Sequence, residues 1–79
     1  MKARVFVTLK SGVLDPQGKA IASALHHLEY PEVADVRVGK YFDLTLSDAP
    51  ADAEQRLKEM SDKLLANPVI EDFRVEILK

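Results

Sequence analysis

The sequence predicts an α+β fold in which β-strands alternate with two amphipathic helices. Three stretches alternate apolar and polar residues with a period of two, and the stretches between them repeat apolar residues at three and four. In addition, residues 31–38 resemble residues 68–75, and each copy lies where a helix returns to a strand. The chain has 79 residues, which predicts a single domain over residues 1–79.

The first strand is predicted over residues 3–10, where every odd-numbered residue is apolar. A helix follows, with Asp15 as its N-cap and Pro16 at its first position, where the missing N–H of proline costs nothing. The helix ends before Tyr30, because the following proline disfavours the α conformation. Its predicted apolar stripe consists of Ile21, Ala24, Leu25 and Leu28.

The central stretch, residues 33–46, is the unusual feature. Its even-numbered residues are apolar except Lys40, and the alternation passes Gly39 without a change of phase. A two-residue hairpin here would set apolar against polar residues, whereas a three-residue loop of 39–41 would keep the phase. One continuous strand would be roughly 46 Å long at ~3.3 Å per residue, while such a domain has a radius of gyration of about 12 Å. That strand would extend beyond its own domain and require a second chain to cover it.

The second helix is predicted to open at Asp48, Ala49 and Pro50 and to close at Asn67, and a last strand covers residues 72–78. Two units with the same helix-to-strand return predict a ferredoxin-related β-α-β-β-α-β sheet with two helices on one face. The predicted buried stripe of the second helix is Ala53, Leu57, Met60 and Leu64.

Composition excludes several classes of protein. Eleven basic against thirteen acidic residues give a net charge of −2, which disfavours nucleic acid as the main partner. No apolar run approaches the ~20 residues of a membrane span, and no secretory signal opens the chain, so the cytoplasm is expected. The absence of cysteine excludes thiolate chemistry and disulfides. A core this small is marginally stable, and association with another chain is a common remedy.

A phosphate-binding loop is the first candidate for chemistry, since Gly12 and Gly18 precede Lys19 after a strand. The Walker pattern requires four residues between its glycines and a hydroxyl after the lysine, but here there are five residues, and Ala20 follows. A turn followed by a helix cap is therefore the favoured interpretation.

Catalytic and metal-binding residues are not expected in this chain. His26 and His27 project about 100° apart on a helix, so they are interpreted as exposed or interfacial side chains. The serines lack a glycine-flanked elbow, and carboxylates such as Glu71 and Asp72 are interpreted as loop and helix-end charges. We therefore predict no catalytic, cofactor-binding or metal-binding residue and no activity of the isolated chain.

Arg37, Gly39, Lys40 and Tyr41 form the one constellation that packing does not readily explain. The structural interpretation is a bulge or close crossing of backbones at Gly39, with Lys40 reaching water along its alkyl stem. The functional interpretation is contact with a partner chain or an anion. The two interpretations are compatible, and these four residues are the candidate partner contacts.

Three segments resemble the PurS family, the small subunit of phosphoribosylformylglycinamidine (FGAM) synthase. They are residues 10–18 (KSGVLDPQG), 35–41 (DVRVGKY) and 67–72 (NPVIED), which occur in order and span essentially the whole chain. The first two are the more specific segments. The resemblance implies a ligase complex of purine biosynthesis that converts formylglycinamide ribonucleotide to its amidine with ATP and glutamine.

In that family a glutaminase subunit releases ammonia, and a large synthetase subunit binds ATP. The resemblance implies that this chain joins both subunits and assists ammonia transfer without catalytic residues of its own. ATP and Mg²⁺ are then cofactors of the assembled complex and not of this chain. It also implies a homodimer or tetramer, with segment-swapped subunits in which residues 33–46 contribute one half to each of two sheets.

Two alternatives remain open from the sequence. A stand-alone ferredoxin-like dimer that binds a small ligand predicts a saturable site on the isolated protein. An enzyme that uses His26 or His27 predicts activity in isolation that is lost on substitution of the histidine by alanine.

Overall fold

The computed structural model describes residues 1–48 and 50–78, and in them a three-stranded antiparallel sheet carries the fold. The strand order is β2-β1-β3, so the first strand lies at the centre. The α+β prediction is confirmed. In chain order the elements are β1 Lys2–Leu9, α1 Pro16–His27, β2 Gly39–Thr45, α2 Ala53–Met60 with its π-helical extension Ser61–Leu65, and β3 Glu71–Leu78.

The core lies on one face of β1. Ala3, Val5 and Val7 are fully buried, as their period-two spacing predicts, and Leu65 and Ala66 pack against Val5 and Val7. The apolar residues of the two flanking strands on this face are only half-buried. They are Phe42 and Leu44 on β2, and Phe73 and Val75 on β3. The described chain therefore covers the middle of its sheet and leaves the flanks partly open.

The second helix differs from its predicted form at both ends. It begins at Ala53, three residues after Pro50, and the predicted start at Ala49 lies outside the described residues. At its other end the helix widens, and Ala66 N donates to Ser61 O at 2.8 Å, a bond to the fifth residue back. This wider turn shifts the apolar stripe, so the predicted inward residue Leu64 is 83% exposed.

Helix α1 begins as predicted, with Asp15 as N-cap and Pro16 at its first position. Its apolar stripe is not covered by the chain that carries it: Ile21 is 38% and Leu28 66% exposed. The helix makes at most isolated contacts with the strands and projects from the sheet. The molecule consequently measures 49 × 27 × 14 Å, with a radius of gyration of 16.0 Å.

The central stretch runs straight, without a hairpin. Gly39 pairs with Thr8, and the next two residues of β2 continue the same ladder, so a three-residue loop at 39–41 is wrong for this structure. The strand is shorter than the predicted 33–46, since residues 33–38 adopt no regular secondary structure. Residues 16–38, comprising α1 and this return segment, are called the arm below.

The two copies of the internal repeat differ in their strand pairing. In the second copy, residues 71–75 belong to β3 and pair with β1. In the first copy, residues 33–38 pair with no strand among residues 1–48 and 50–78. The two segments are therefore similar in sequence, but only the second pairs with a neighbouring strand of the described chain.

Candidate functional site

The three segments that carry the resemblance meet at one end of the sheet, where β1 ends and β2 and β3 begin. Lys10 N donates to Ile70 O at 2.8 Å, and Lys10 Nζ lies 2.9 Å from Asp72 Oδ1. Val38 N donates to Asp15 Oδ2 at 2.8 Å. Hydrogen bonds therefore join segments that lie far apart in the sequence into one surface.

Asp15 is the buried charge of this surface. Its Oδ1 accepts the N–H of Gly18 at 2.8 Å and its Oδ2 accepts the N–H of Val38. The bond from Val38, followed by that from Gly18, lowers the pKa of the Asp15 carboxyl, and the charge of Arg37 contributes in the same direction. Both oxygens are thus committed to backbone donors, which favours a structural anchor over an acid or base.

Gly18 allows the first turn of α1 to touch the return segment. A Cβ built on Gly18 would collide with the carbonyl oxygen of Val36, so only glycine permits this approach. The geometry agrees with the turn and helix cap predicted for Gly12 through Lys19. Further along the arm, His26 Nε2 donates to Val33 O at 2.7 Å.

Arg37, the first predicted contact residue, clasps the loop between β1 and α1. Its Nη1 donates to Val13 O at 2.9 Å and its Nη2 to Lys10 O at 3.2 Å. The planar guanidinium suits two acceptors held side by side. The side chain is exposed but is already engaged by its own chain.

The other three predicted residues lie on both faces of the sheet. A Cβ on Gly39 would lie 2.9 Å from Val7 O, so the close backbone approach expected there is present. Lys40 is exposed on the helix side, with Nζ 5.6 Å from the ring centre of Phe42. Tyr41 is 59% exposed on the opposite face. Lys40 and Tyr41 therefore cannot act as one cluster.

The outer face of the sheet carries a row of contacts that sequence reasoning missed. The rings of Phe6 and Tyr41 are 6.2 Å apart, and the guanidinium of Arg4 lies 4.7 Å from the centre of the Tyr41 ring. Arg4 also donates to both oxygens of Asp43, which lowers the pKa of that carboxyl. Arg74 stacks on Phe6 at 4.3 Å. Period-two alternation assigns these residues to one face, but only the strand register shows which of them meet.

The outer edge of β2 is unpaired in the described sheet. Leu46 N donates to Met1 O at 2.8 Å and Leu46 O accepts from the Met1 amino group, so this even-numbered residue faces β1. Because successive residues of a strand direct their backbone groups to opposite sides, the odd-numbered residues face the free edge. They are Gly39, Tyr41, Asp43 and Thr45.

The return segment has the matching pattern. The N–H groups of Val36 and Val38 donate to Asp35 Oδ1 and Asp15 Oδ2. The N–H groups of Asp35 and Arg37 donate to no acceptor in residues 1–48 and 50–78. The odd-numbered residues of the segment thus present free donors, as those of the β2 edge do.

An open groove of about 250 Å³ lies on the sheet where β1 ends and β2 and β3 begin, and the base of the arm, with Gln17 and Val38, forms part of its wall. Its walls include Val7, Leu9, Val38, Lys40 and Glu71. Val7, Leu9 and Val38 give the groove apolar walls, and Asp15, Lys40 and Glu71 give it charged ones.

Among the described residues, no group of three His, Asp or Glu side chains is placed to hold a metal ion. The helices found in them are also too short or too polar to cross a membrane.

Comparison with known proteins agrees with this architecture. The family model of PurS, phosphoribosylformylglycinamidine (FGAM) synthase, matches residues 2–79. The PurS subunit of the synthase from Bacillus subtilis is 54% identical over 76 residues, which cover 96% of this chain and 90% of the relative.

Solved structures of the family superpose closely. PurS of Methanocaldococcus jannaschii, described as one of the subunits of formylglycinamide ribonucleotide amidotransferase in the purine biosynthetic pathway, aligns with a TM-score of 0.86 and 38% identity over 99% of this chain and 95% of its own. A chain of the PurLQS structure from Thermotoga maritima aligns with a TM-score of 0.83 and 31% identity over 98% of this chain and 95% of its own. The resemblance seen in the sequence is thereby confirmed, and the chain belongs to the PurS family of FGAM synthase subunits.

Proposed function

We propose that this chain is the non-catalytic small subunit of an FGAM synthase complex and that it works as a segment-swapped dimer. The match of residues 2–79 to the PurS family, together with the similarity to a chain of a PurLQS structure, carries this proposal. The complex would convert formylglycinamide ribonucleotide, glutamine and ATP to the amidine in the cytoplasm. ATP and Mg²⁺ would bind to the synthetase subunit.

The uncovered surfaces of the single chain support the dimer. The exposed stripe of α1 requires an apolar surface, and the half-buried Phe42 and Leu44 on the inner face of β2 offer one. The arm of one protomer would lie on the sheet of its partner, with α1 over the inner face of β2 and residues 33–38 along the free edge of β2. By two-fold symmetry, each arm covers the exposed inner face and the free β2 edge of the other protomer.

The strand phase supports the same arrangement. If odd-numbered residues pair with odd-numbered residues across the interface, the backbone groups of Asp35 and Arg37 become the hydrogen-bond partners of the unpaired groups on the β2 edge. The even-numbered Val36 and Val38 then fall on the inner face beside Phe42, which is only half-buried in one chain. Pairing of odd-numbered with odd-numbered residues therefore satisfies the backbone hydrogen bonds and buries the apolar even-numbered side chains at the same time.

A non-catalytic linker has a physical purpose in this reaction. Ammonia is mostly protonated at neutral pH, and ammonium is a poor nucleophile that escapes to solvent. An assembly that holds a glutaminase close to a synthetase raises the local concentration of ammonia at the second site. The small subunit would contribute only by holding the two larger subunits close together. This agrees with Asp15, whose two carboxylate oxygens already accept backbone hydrogen bonds and are not available as an acid or base.

The segment from Arg37 to Tyr41 is proposed to contribute to contact with the larger subunits. In the single chain Lys40 and Tyr41 are exposed on the two faces of β2, and Lys40 also borders the face proposed for the partner's α1. Arg37 and Gly39 would act by fixing the path of the backbone. Because Arg37 and Gly39 hold the backbone in place, Lys40 is the charged residue of this segment whose reversal should disturb the fold least.

The test is size-exclusion chromatography with light scattering of the chain alone and with a glutaminase and a synthetase subunit, glutamine and ATP·Mg²⁺. Co-elution of all three proteins supports the proposal, and failure to co-elute contradicts it. Lys40→Glu, once light scattering shows that it is still a dimer alone, is expected to weaken assembly about tenfold or more. Lys63→Glu, an exposed control on the helix extension, is expected to leave it unchanged. Undiminished assembly of Lys40→Glu would remove this segment from the interface.

A further inference from the structure

We infer that Arg37 holds the arm away from its own sheet and so commits the chain to exchange arms with a second copy. This inference rests on the dimer proposed above and adds the device that selects it. The alternative is a closed monomer, in which the chain reverses at 39–41 and the return segment pairs with its own β2.

The alternation of residues does not by itself exclude the closed form. A three-residue loop at 39–41 sets Val38 opposite Phe42 and Val36 opposite Leu44, so the apolar face stays continuous. The same apolar contacts are thus available within one chain and between two. Selection between them must come from interactions that only one form makes.

The two hydrogen bonds of Arg37 are such interactions. In the closed form Arg37 would lie opposite Asp43, which itself pairs with Arg4 of β1. Arg4 is six residues before Lys10, a distance of roughly 20 Å along a strand. No arginine side chain spans that distance, so the bonds to Val13 O and Lys10 O exist only while the arm projects.

The loop that Arg37 clasps is the hinge of the arm. It joins β1 to α1, and it contains Gly12 in the left-handed region at φ 85°. Its first residue, Lys10, is fixed to the start of β3: its N–H donates to the carbonyl of Ile70, just before the strand, and its Nζ to Asp72 within it. Arg37 therefore connects the end of the arm to a point that belongs to the sheet.

The other contacts of this region join parts of the arm to each other or to its base, so they can persist whether the arm projects or folds back. Gly18 touches Val36, and His26 bonds to Val33 O, so α1 and the return segment form one unit that moves together. Asp15 also bonds to Val38 but caps α1 and moves with it, whereas Arg37 binds Lys10 and Val13, earlier in the hinge. Its role is positional: it biases an equilibrium between two arrangements of the same elements.

The experiment compares Arg37→Met with the original chain by analytical ultracentrifugation over a range of concentrations. Arg56→Met, an exposed arginine of α2, is the matched control. We expect Arg37→Met to raise the dimer dissociation constant about tenfold or more and to yield a compact folded monomer, with Arg56→Met unchanged. Circular dichroism checks folding, and Arg37→Lys, which keeps the charge but loses the fork of donors, replaces the methionine variant if that variant is unfolded.

Because the chain has no cysteine, a disulfide reports the closed form directly. The pair Val36→Cys and Leu44→Cys is oxidised in both backgrounds and separated on a non-reducing gel. An intramolecular disulfide that appears only with Arg37→Met supports the inference. A dimer of unchanged affinity, or an expanded monomer without that disulfide, overturns it. If the original chain is itself monomeric, the proposed dimer fails, which is a separate result.

Discussion

The carboxylate of Asp15 accepts the backbone N–H of Val38, a residue 23 positions later in the chain, at 2.8 Å. The same carboxylate caps the helix that carries the chain away from the sheet. One buried side chain therefore ties the start of the arm to its return, and it does so beside the point where β2 begins. This bond makes the arm a defined element although no strand of the described chain pairs with it.

Acid should loosen this junction. The folded pKa of Asp15 is lowered by its backbone donors, so ionised Asp15 stabilises the fold at neutral pH. That contribution is complete above the ordinary aspartate pKa of about 4 and is lost as pH falls through the lower folded value. Urea unfolding between pH 2 and 7 should show stability falling below about pH 4, with a shallower fall in Asp15→Asn. An equal pH dependence in both proteins would exclude Asp15 as a source of the effect.

Gly18→Ala tests the close approach of α1 and the return segment. Alanine favours a helix by about 1 kcal/mol over glycine, yet its Cβ would collide with Val36 O. We expect a net destabilisation of about 1–3 kcal/mol, because overpacking forces the backbone apart. Gln17→Ala, at the exposed neighbouring position, is the control and should be close to neutral by thermal unfolding. A stabilised Gly18→Ala protein would show that the two backbones do not meet.

Leu57→Ala and Leu64→Ala test the π-helical extension of α2. Leu57 is fully buried and Leu64 is 83% exposed, although a regular helix would place both in one stripe. Denaturant unfolding should give a loss of about 2–5 kcal/mol for Leu57→Ala and less than about 0.5 kcal/mol for Leu64→Ala. Similar losses for both variants would mean that the helix continues in regular α geometry.

Ile21→Asp tests the exposed stripe of α1 as an intersubunit surface. If a partner sheet covers this stripe, burial of a carboxylate in it removes an apolar contact of about 1.5–3 kcal/mol and weakens the dimer at least tenfold. Ser23→Asp, at a non-stripe position of the same helix, adds the same charge and should leave the dimer intact. Sedimentation of both variants at one concentration makes the comparison, and equal dissociation would place the stripe outside the interface.

Sequence reasoning predicted those features that depend on local pattern. The alternation in residues 3–10, the cap at Asp15 and the inward face of β1 all appear where they were expected. The position of Leu64 was wrong because the periodicity of a regular helix cannot anticipate a wider turn. Residues 33–38 pair with no strand of the described chain, although their alternation predicted a strand. Alternation shows which side chains share a face, but it does not show which strand will pair with the segment.

The candidate site was predictable only in part. The motif segments and Arg37, Gly39, Lys40 and Tyr41 stand out in the sequence, but their distribution over two faces follows from the register of β2 on β1. The second role of Asp15, bonding to Val38, leaves no local trace because its partner lies so far along the chain. Pairings of this kind arise from topology, which periodicity does not encode.

Amide hydrogen exchange in β2 tests the exchanged arm most directly. In one chain the even-numbered amides bond to β1, while those of Tyr41 and Asp43 face the free edge. With the partner's arm in place, Tyr41 and Asp43 should be protected about as strongly as Phe42 and Leu44, and dilution to the monomer should expose them first. Rapid exchange of Tyr41 and Asp43 at high protein concentration, beside slow exchange of Phe42 and Leu44, would contradict the account.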